Sequence, residues 1–253
     1  MRRRRLIAGA GLLCAGAARG GWPELIAAAR PSVLPIGTWS PLASPRFAFY
    51  GTAFVVGDGR QVVTNQHVIN AKKDDAAGPP VQWAVQVRAG DRVEWRELTL
   101  IKSDPVHDLS LLQLQGAPLA PLPLADDARL REGLPILLMG FPIGGVLGFQ
   151  TVTHRGMVSS VAPIALPAAN VSRLAEGTLN QLRRGVFDIV QLDATAYPGN
   201  SGGPVLDADT GEVVAVVNMV LVKGSREAAL THPSGISYAI PARWVRELLA
   251  QAR

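Results

Sequence analysis

The sequence predicts an all-β protein built as two antiparallel barrels side by side, followed by a C-terminal helix. Three observations carry this. Short β-type runs separated by turn residues fill most of residues 32–241. Nineteen prolines and 26 glycines are spread along the 253 residues, which suits many tight connections. A Pro/Ala-rich passage, QGAPLAPLPLADDARLREG over residues 115–133, divides the strand-rich sequence in two.

From the N-terminus, MRRRRLIAGAGLLCAGAARG places four arginines before a run of small and apolar residues and an Ala-Gly-Ala site. That pattern predicts an export signal over about residues 1–18, with Sec and twin-arginine routes both open. The run is too short for a bilayer-spanning helix, which needs roughly 20 residues, so no membrane span is expected in the mature chain. Cys14 is the only cysteine and lies within this segment, which leaves no disulfide and no thiolate metal site after cleavage. Leu13 beside it is too bulky for a lipoprotein anchor. Removal of the segment takes four of 25 basic residues and leaves 21 against 20 acids. A near-neutral mature chain has no basic stripe to follow phosphates, which argues against nucleic-acid binding. The expected location is periplasmic or extracellular, in a bacterium: Arg outnumbers Lys 21 to 4, and alanine is plentiful.

Residues 22–30 predict a short helix closed by Pro31. An N-terminal barrel over about residues 31–115 follows, from the runs SVLPIGTW, FAFYGTAFVV, QVVTN, VQWAVQVR, VEWRELTLI and DLSLLQL. The last alternates leucines with polar neighbours, as a half-buried strand does. Residues 115–133 read as a linker crossing the surface. A C-terminal barrel over about residues 134–241 draws on LPILLMGFPIGG, TVTHRGMVSSVA, FDIVQLDA, PVLDAD, EVVAVVNMVLV and GISYAIP. Within it, residues 163–186 are the least strand-like, and VSRLAEGTLNQLRR suggests a short helix in a loop. Residues 242–253 place Trp244, Val245, Leu248 and Leu249 at helical spacing, which predicts an amphipathic helix.

One stretch carries chemistry. AYPGNSGGP, residues 196–204, holds Ser201 in a G-x-S-x-G pattern. An α/β-hydrolase elbow with that pattern runs strand, serine, helix, with acid and histidine later in the chain. Here Pro204 follows almost at once, the chain continues as a hairpin, and His232 is the only later histidine. Upstream, His67 in VVTNQHVIN and Asp108 in DLSLLQL supply the order His, Asp, Ser, with the serine on the other barrel. A serine hydroxyl needs imidazole to take its proton, and a carboxylate to fix the imidazole tautomer. Rivals are weaker. Strand alternation turns His107 away from the Asp108 face, toward solvent, and Asp104 before Pro105 reads as a turn residue. His154 and His232 read as surface or loop positions. No cluster has metal-ligand spacing, so neither metal nor cofactor is expected.

GTAFVV with VVTNQHV, SDPVHDLSLLQL, MGFPIGG, GMVSS, QLDATAYPGNSGGPV and GISYAIP together resemble the HtrA (Deg) branch of the trypsin-like serine proteases. The resemblance runs from about Arg30 to Val245. It implies the chymotrypsin-like fold of two six-stranded barrels, and serine endopeptidase activity on unfolded or damaged proteins. It also implies His67 as general base, Asp108 as its orienting acid and Ser201 as nucleophile, with the N–H groups of Gly199 and Ser201 as oxyanion hole. Trypsin-type enzymes keep a lysine- or arginine-binding aspartate six residues before the serine, where this chain has Thr195. An uncharged pocket for small or medium apolar side chains is therefore expected. The substrate-binding set is Thr195, Ala196, Tyr197, Asn218, Met219 and Val220, with substrate added as a strand beside residues 218–220. Asn200 carries no charge to capture a new amino terminus, so activation by propeptide cleavage is not expected. The peptide-binding PDZ module usual in the family is not seen in this sequence. Two other functions stay open on the same residues: a latent peptide-binding or chaperone-like protein, and an esterase. Phe47, Phe49 and Tyr50 fit a subunit contact or core packing equally well, which leaves oligomerisation open.

Overall fold

The computed structural model describes residues 21–71, 82–90, 92–142, 144, 148–163, 187–218 and 235–252. In these, β1 (Val33–Trp39), β2 (Phe47–Val56), β3 (Gln61–Asn65), β4 (Gln82–Ala89), β5 (Arg92–Asp104) and β6 (Leu109–Leu114) close a first barrel in the order β1-β2-β3-β6-β5-β4. The strands β7 (Pro135–Gly140), β8 (Val152–Pro163), β9 (Asp188–Asp193), β10 (Pro204–Asp207), β11 (Val213–Val217) and β12 (Ile236–Pro241) close a second, in the order β10-β11-β12-β9-β8-β7. The pairs in both barrels are antiparallel. Each of the twelve β-type runs in the sequence overlaps one of these strands, and the two-barrel class is the one observed.

Among the described residues, three α-helices accompany the barrels. α1 (Trp22–Ala29) passes into a 3-10 turn at Arg30–Ser32, so Pro31 tightens the helix end rather than closing it. α2 (Gln66–Asn70) is a single turn directly after β3. α3 (Ala242–Ala250) follows β12 and buries Val245 and Leu248. The possible helix within residues 163–186 lies outside the described residues.

Side-chain parity explains where the core sits. In a strand, alternate residues point to opposite faces. Ala53, Val55, Val62, Leu112 and Leu114 fill the first barrel, while Phe54, Val56, Val63, Leu109 and Leu111 turn outward into a second apolar cluster. The second barrel does the same: Ile136, Leu138, Val205 and Val217 point inward, and Leu137, Met139, Leu206 and Val216 outward. The outward residues of both barrels meet one another and α3.

This corrects the reading of DLSLLQL as half-buried. β6 is covered on both faces, by its own barrel and by the seam, and only Gln113 is partly exposed. A closed barrel packed against another has no solvent face along the seam, so the strand is apolar on both sides. Midway, the passage 115–133 bonds to one barrel and then the other: Leu122 N–H donates to Val55 O at 2.9 Å, and Ala125 N–H to Val213 O at 2.9 Å.

Phe47, Phe49 and Tyr50 pack within the chain. The Phe47 ring lies 4.4 Å from Trp95 and 5.4 Å from Phe149, Phe49 lies 5.5 Å from Phe149, and Tyr50 lies 5.5 Å from Trp83. Leu111 is fully buried in the seam. Leu111→Ala should destabilise the protein by about 2–5 kcal/mol, read as a lower denaturation midpoint at unchanged m-value.

Candidate active site

β3 ends at Asn65, whose extended backbone (φ −75°, ψ 150°) opens α2 and puts His67 in its first turn. Asp108 precedes β6 on a turn with φ 52°, a left-handed conformation uncommon for a residue with a side chain. That turn faces the Asp108 carbonyl toward Gln66 N–H (2.9 Å) and the Asn65 side-chain amide (3.2 Å). Its carboxylate then reaches His67 twice. Oδ1 accepts the His67 backbone N–H at 2.8 Å, and Oδ2 lies 2.6 Å from the ring Nδ1.

A carboxylate can only accept, so Nδ1 carries the hydrogen, and in the neutral ring that leaves the lone pair on Nε2. The pair is shielded but open to a ligand: the His67 side chain is 30% exposed and that of Asp108 15%. A further donor comes from the other barrel. Asn218 Nδ2 donates to Asp108 Oδ2 at 2.9 Å. The sequence places Asn218 in the substrate-binding set; in the structure it is buried at the end of β11 with its amide on the acid. Periodicity carries no signal of this bond, which joins residues 110 positions apart.

Ser201 is 6% exposed and lies in a tight turn: Asn200 N–H donates to Tyr197 O at 3.0 Å, and Gly203 N–H to Asn200 O at 2.9 Å. The turn is pinned across the seam to β2. Thr52 N–H donates to Ser201 O at 2.9 Å, Thr52 Oγ1 donates to Gly199 O at 2.7 Å, and Phe141 N–H donates to the same Oγ1 at 3.1 Å. Thr52 is a site residue that sequence reasoning missed. Its one signal was the adjacent Gly51, where a Cβ would stand 3.0 Å from Ser201 O.

Gly202 has φ +83°, and a Cβ there would sit 2.2 Å from Thr52 O and 2.3 Å from Thr64 Oγ1. Only glycine lets the two backbones come this close. The same site lies 3.1 Å from Asn65 N, so the Ser201 turn rests on the strand end that carries His67. Gly199 has φ 103°, also left-handed.

Thr195 is half-buried and Ala196 buried. Ala196 N–H donates to Ser237 Oγ at 3.0 Å, and that hydroxyl donates to Ala194 O at 2.7 Å. The Tyr197 ring lies 5.9 Å from His154. Met219 and Val220 lie outside the described residues, as does His232. Among the described residues, no group of three or more His, Cys, Asp or Glu could hold a metal ion, and no helix is long and apolar enough to cross a membrane.

Residues 51–216 match the model of the trypsin-like peptidase domain. The chain belongs to that family. This trypsin-like chain is 26% identical over 219 residues to a probable periplasmic serine endoprotease DegP-like from Marinomonas sp. (strain MWYL1), covering 87% of this chain and 39% of that protein. It is 31% identical over 204 residues to the mitochondrial serine protease HTRA2 of Bos taurus, covering 79% and 35%. It therefore spans little more than a third of the length of these relatives. The solved HtrA-type protease AlgW with decapeptide superposes with a TM-score of 0.63 at 22% identity, over 92% of this chain and 67% of that one. The likeness to AlgW is one of fold.

Two histidines of the trypsin-like chain sit differently from expectation. His107 does not face solvent: its ring stacks on Trp244 of α3 at 3.6 Å. His154 is in β8 and half-buried rather than on a loop, with Nε2 enclosed and unpartnered among the described residues. Burial holds its imidazole below the usual histidine range. The unfolded chain titrates at about 6.5 and so binds more protons than the folded one as pH falls below that value. Acid therefore costs stability through this residue. From about pH 7 to about pH 5, Tm should fall more steeply in the wild type than in His154→Leu.

Proposed function

We propose that this chain is an exported serine endopeptidase that cleaves unfolded or damaged proteins through an acyl-enzyme. The observation that carries the reading is the two-point grip of Asp108 on His67, through backbone N–H and ring Nδ1, beside the Ser201 turn. Residues 1–18 act as the export signal, and residues 19–253 form the protease domain.

His67 Nε2 takes the Ser201 hydroxyl proton as the oxygen attacks the scissile carbonyl, and Asp108 stabilises the imidazolium. The N–H groups of Gly199 and Ser201 receive the developing oxyanion, each donor contributing roughly 2.7–4 kcal/mol at the transition state. His67 then protonates the leaving amine, and water repeats the sequence on the acyl-enzyme. The left-handed φ of Gly199 supports this role, because it turns a peptide plane in a way side-chain residues resist.

Thr195, Ala196 and Tyr197 bring no charge to the wall before the nucleophile, which supports an apolar P1 side chain. AlgW has been solved with a decapeptide, in keeping with a peptide ligand here.

A fluorophosphonate probe should label the wild type and not Ser201→Ala. Casein cleavage should fall about a million-fold in Ser201→Ala and about ten-thousand-fold in Asp108→Asn. Equal cleavage by wild type and Ser201→Ala overturns the reading, and labelling without cleavage favours a latent or esterase protein. In a peptide library, cuts should follow small or medium apolar residues. Cleavage confined to Lys or Arg sinks the pocket assignment.

A further inference from the structure

Asp108 holds a left-handed turn, and such a conformation persists in a residue with a side chain only where its surroundings over-determine it. On its C-terminal side, the bonds to Gln66, Asn65 and His67 hold it. On its N-terminal side stands His107, whose peptide unit with Asp108 defines the φ in question. Asp104 Oδ1 accepts the N–H groups of Val106 (3.0 Å) and His107 (3.2 Å), and Oδ2 lies 2.6 Å from His107 Nδ1. The His107 ring lies nearly parallel to the Trp244 indole, 15° between planes, and meets Phe187 edge-on at 4.9 Å. Trp244 is held in turn: the Arg243 guanidinium lies 5.0 Å from its ring centroid, and Arg243 pairs with Asp188 at 2.8 Å.

We propose that Asp104, His107 and Trp244 form a clamp that positions the Asp108 carboxylate, making α3 a support for the His67–Asp108 contact. The inference rests on the peptidase reading above. His107 does not touch substrate or the reacting atoms; it is a positioning residue. If it were only filling space, an apolar ring would pack against Trp244 as well and would leave no half-buried imidazole to satisfy. The Asp104 contact fixes the ring's rotation as well as its place. With the His107 N–H held on the same carboxylate, this anchors the residue from which the chain enters Asp108.

The test compares His107→Ala, Trp244→Leu and Trp244→Phe, with active sites counted by the fluorophosphonate probe. His107→Ala and Trp244→Leu should lose about tenfold in kcat per titrated site, short of the roughly hundredfold that an ångström of misplacement costs. KM should stay within about twofold, since the substrate-binding segment is untouched. Trp244→Phe keeps a stacking face and should recover most of the loss. The downfield imidazole N–H resonance of His67, identified by its absence in His67→Ala, should broaden or vanish in the two damaged variants. If Trp244→Leu does not fold, His107→Gln carries the same expectation, since it keeps a donor for Asp104 without the ring. The proposal is overturned if kcat per site and the His67 resonance match the wild type while only Tm falls. It is equally overturned if Trp244→Phe behaves as Trp244→Leu does. The resonance reads the His67–Asp108 contact with or without turnover. An inactive wild type thus overturns the peptidase reading and leaves the clamp to be judged on the resonance.

Discussion

Everything at the site depends on how closely the two barrels approach. The His67–Asp108 pair belongs to the first barrel and Ser201 to the second, so their alignment is a property of the seam and of neither barrel alone. Two kinds of contact set that distance. Apolar side chains such as Phe54, Leu111, Leu137 and Met139 supply the attraction, which has no directional preference. Direction comes from the polar contacts across the gap: Thr52 on the Ser201 turn, and Asn218 on Asp108. Glycine at 202 makes the contact possible, because any side chain there would drive the two backbones apart.

The Asp108 carboxylate shows how this assembly is checked for correctness. Its Oδ1 takes a backbone N–H of His67, and Oδ2 takes both the His67 ring and the Asn218 amide. The His67 donors belong to its own barrel and the amide to the other. A displacement of one barrel against the other would leave a shielded anion short of a donor, which is costly away from water. The acid therefore reports the docking of the barrels as well as orienting the imidazole.

Much of the architecture could be read from one sequence because strands and turns are local. Runs such as QVVTN and EVVAVVNMVLV, each preceded by a turn rich in Gly and Asp, announce themselves within a few residues. The pairing of His67 with Asp108 could be read from residue type and order, since the chemistry admits few substitutes. What could not be read was whatever depends on a second surface. The leucines of β6 looked half-buried because the seam that covers their other face is built by residues far along the chain. His107 looked solvent-facing for the same reason: the indole covering it comes from α3. Thr52 and Asn218 are ordinary polar residues until the fold brings each to a partner on the other barrel.

Closure of both barrels has a consequence for the company such a protein keeps. A peptidase that takes its substrate as an added strand needs a target with unpaired backbone. In the two closed barrels each described strand is already bonded to a neighbour on both sides, so among the described residues the barrels of a folded copy offer no free strand edge. Barrel closure would thus withhold the described strands of one folded molecule from the proposed substrate site of another. On the proposed reading an unfolded molecule has no such protection, so discrimination between folded and unfolded protein would follow from backbone pairing.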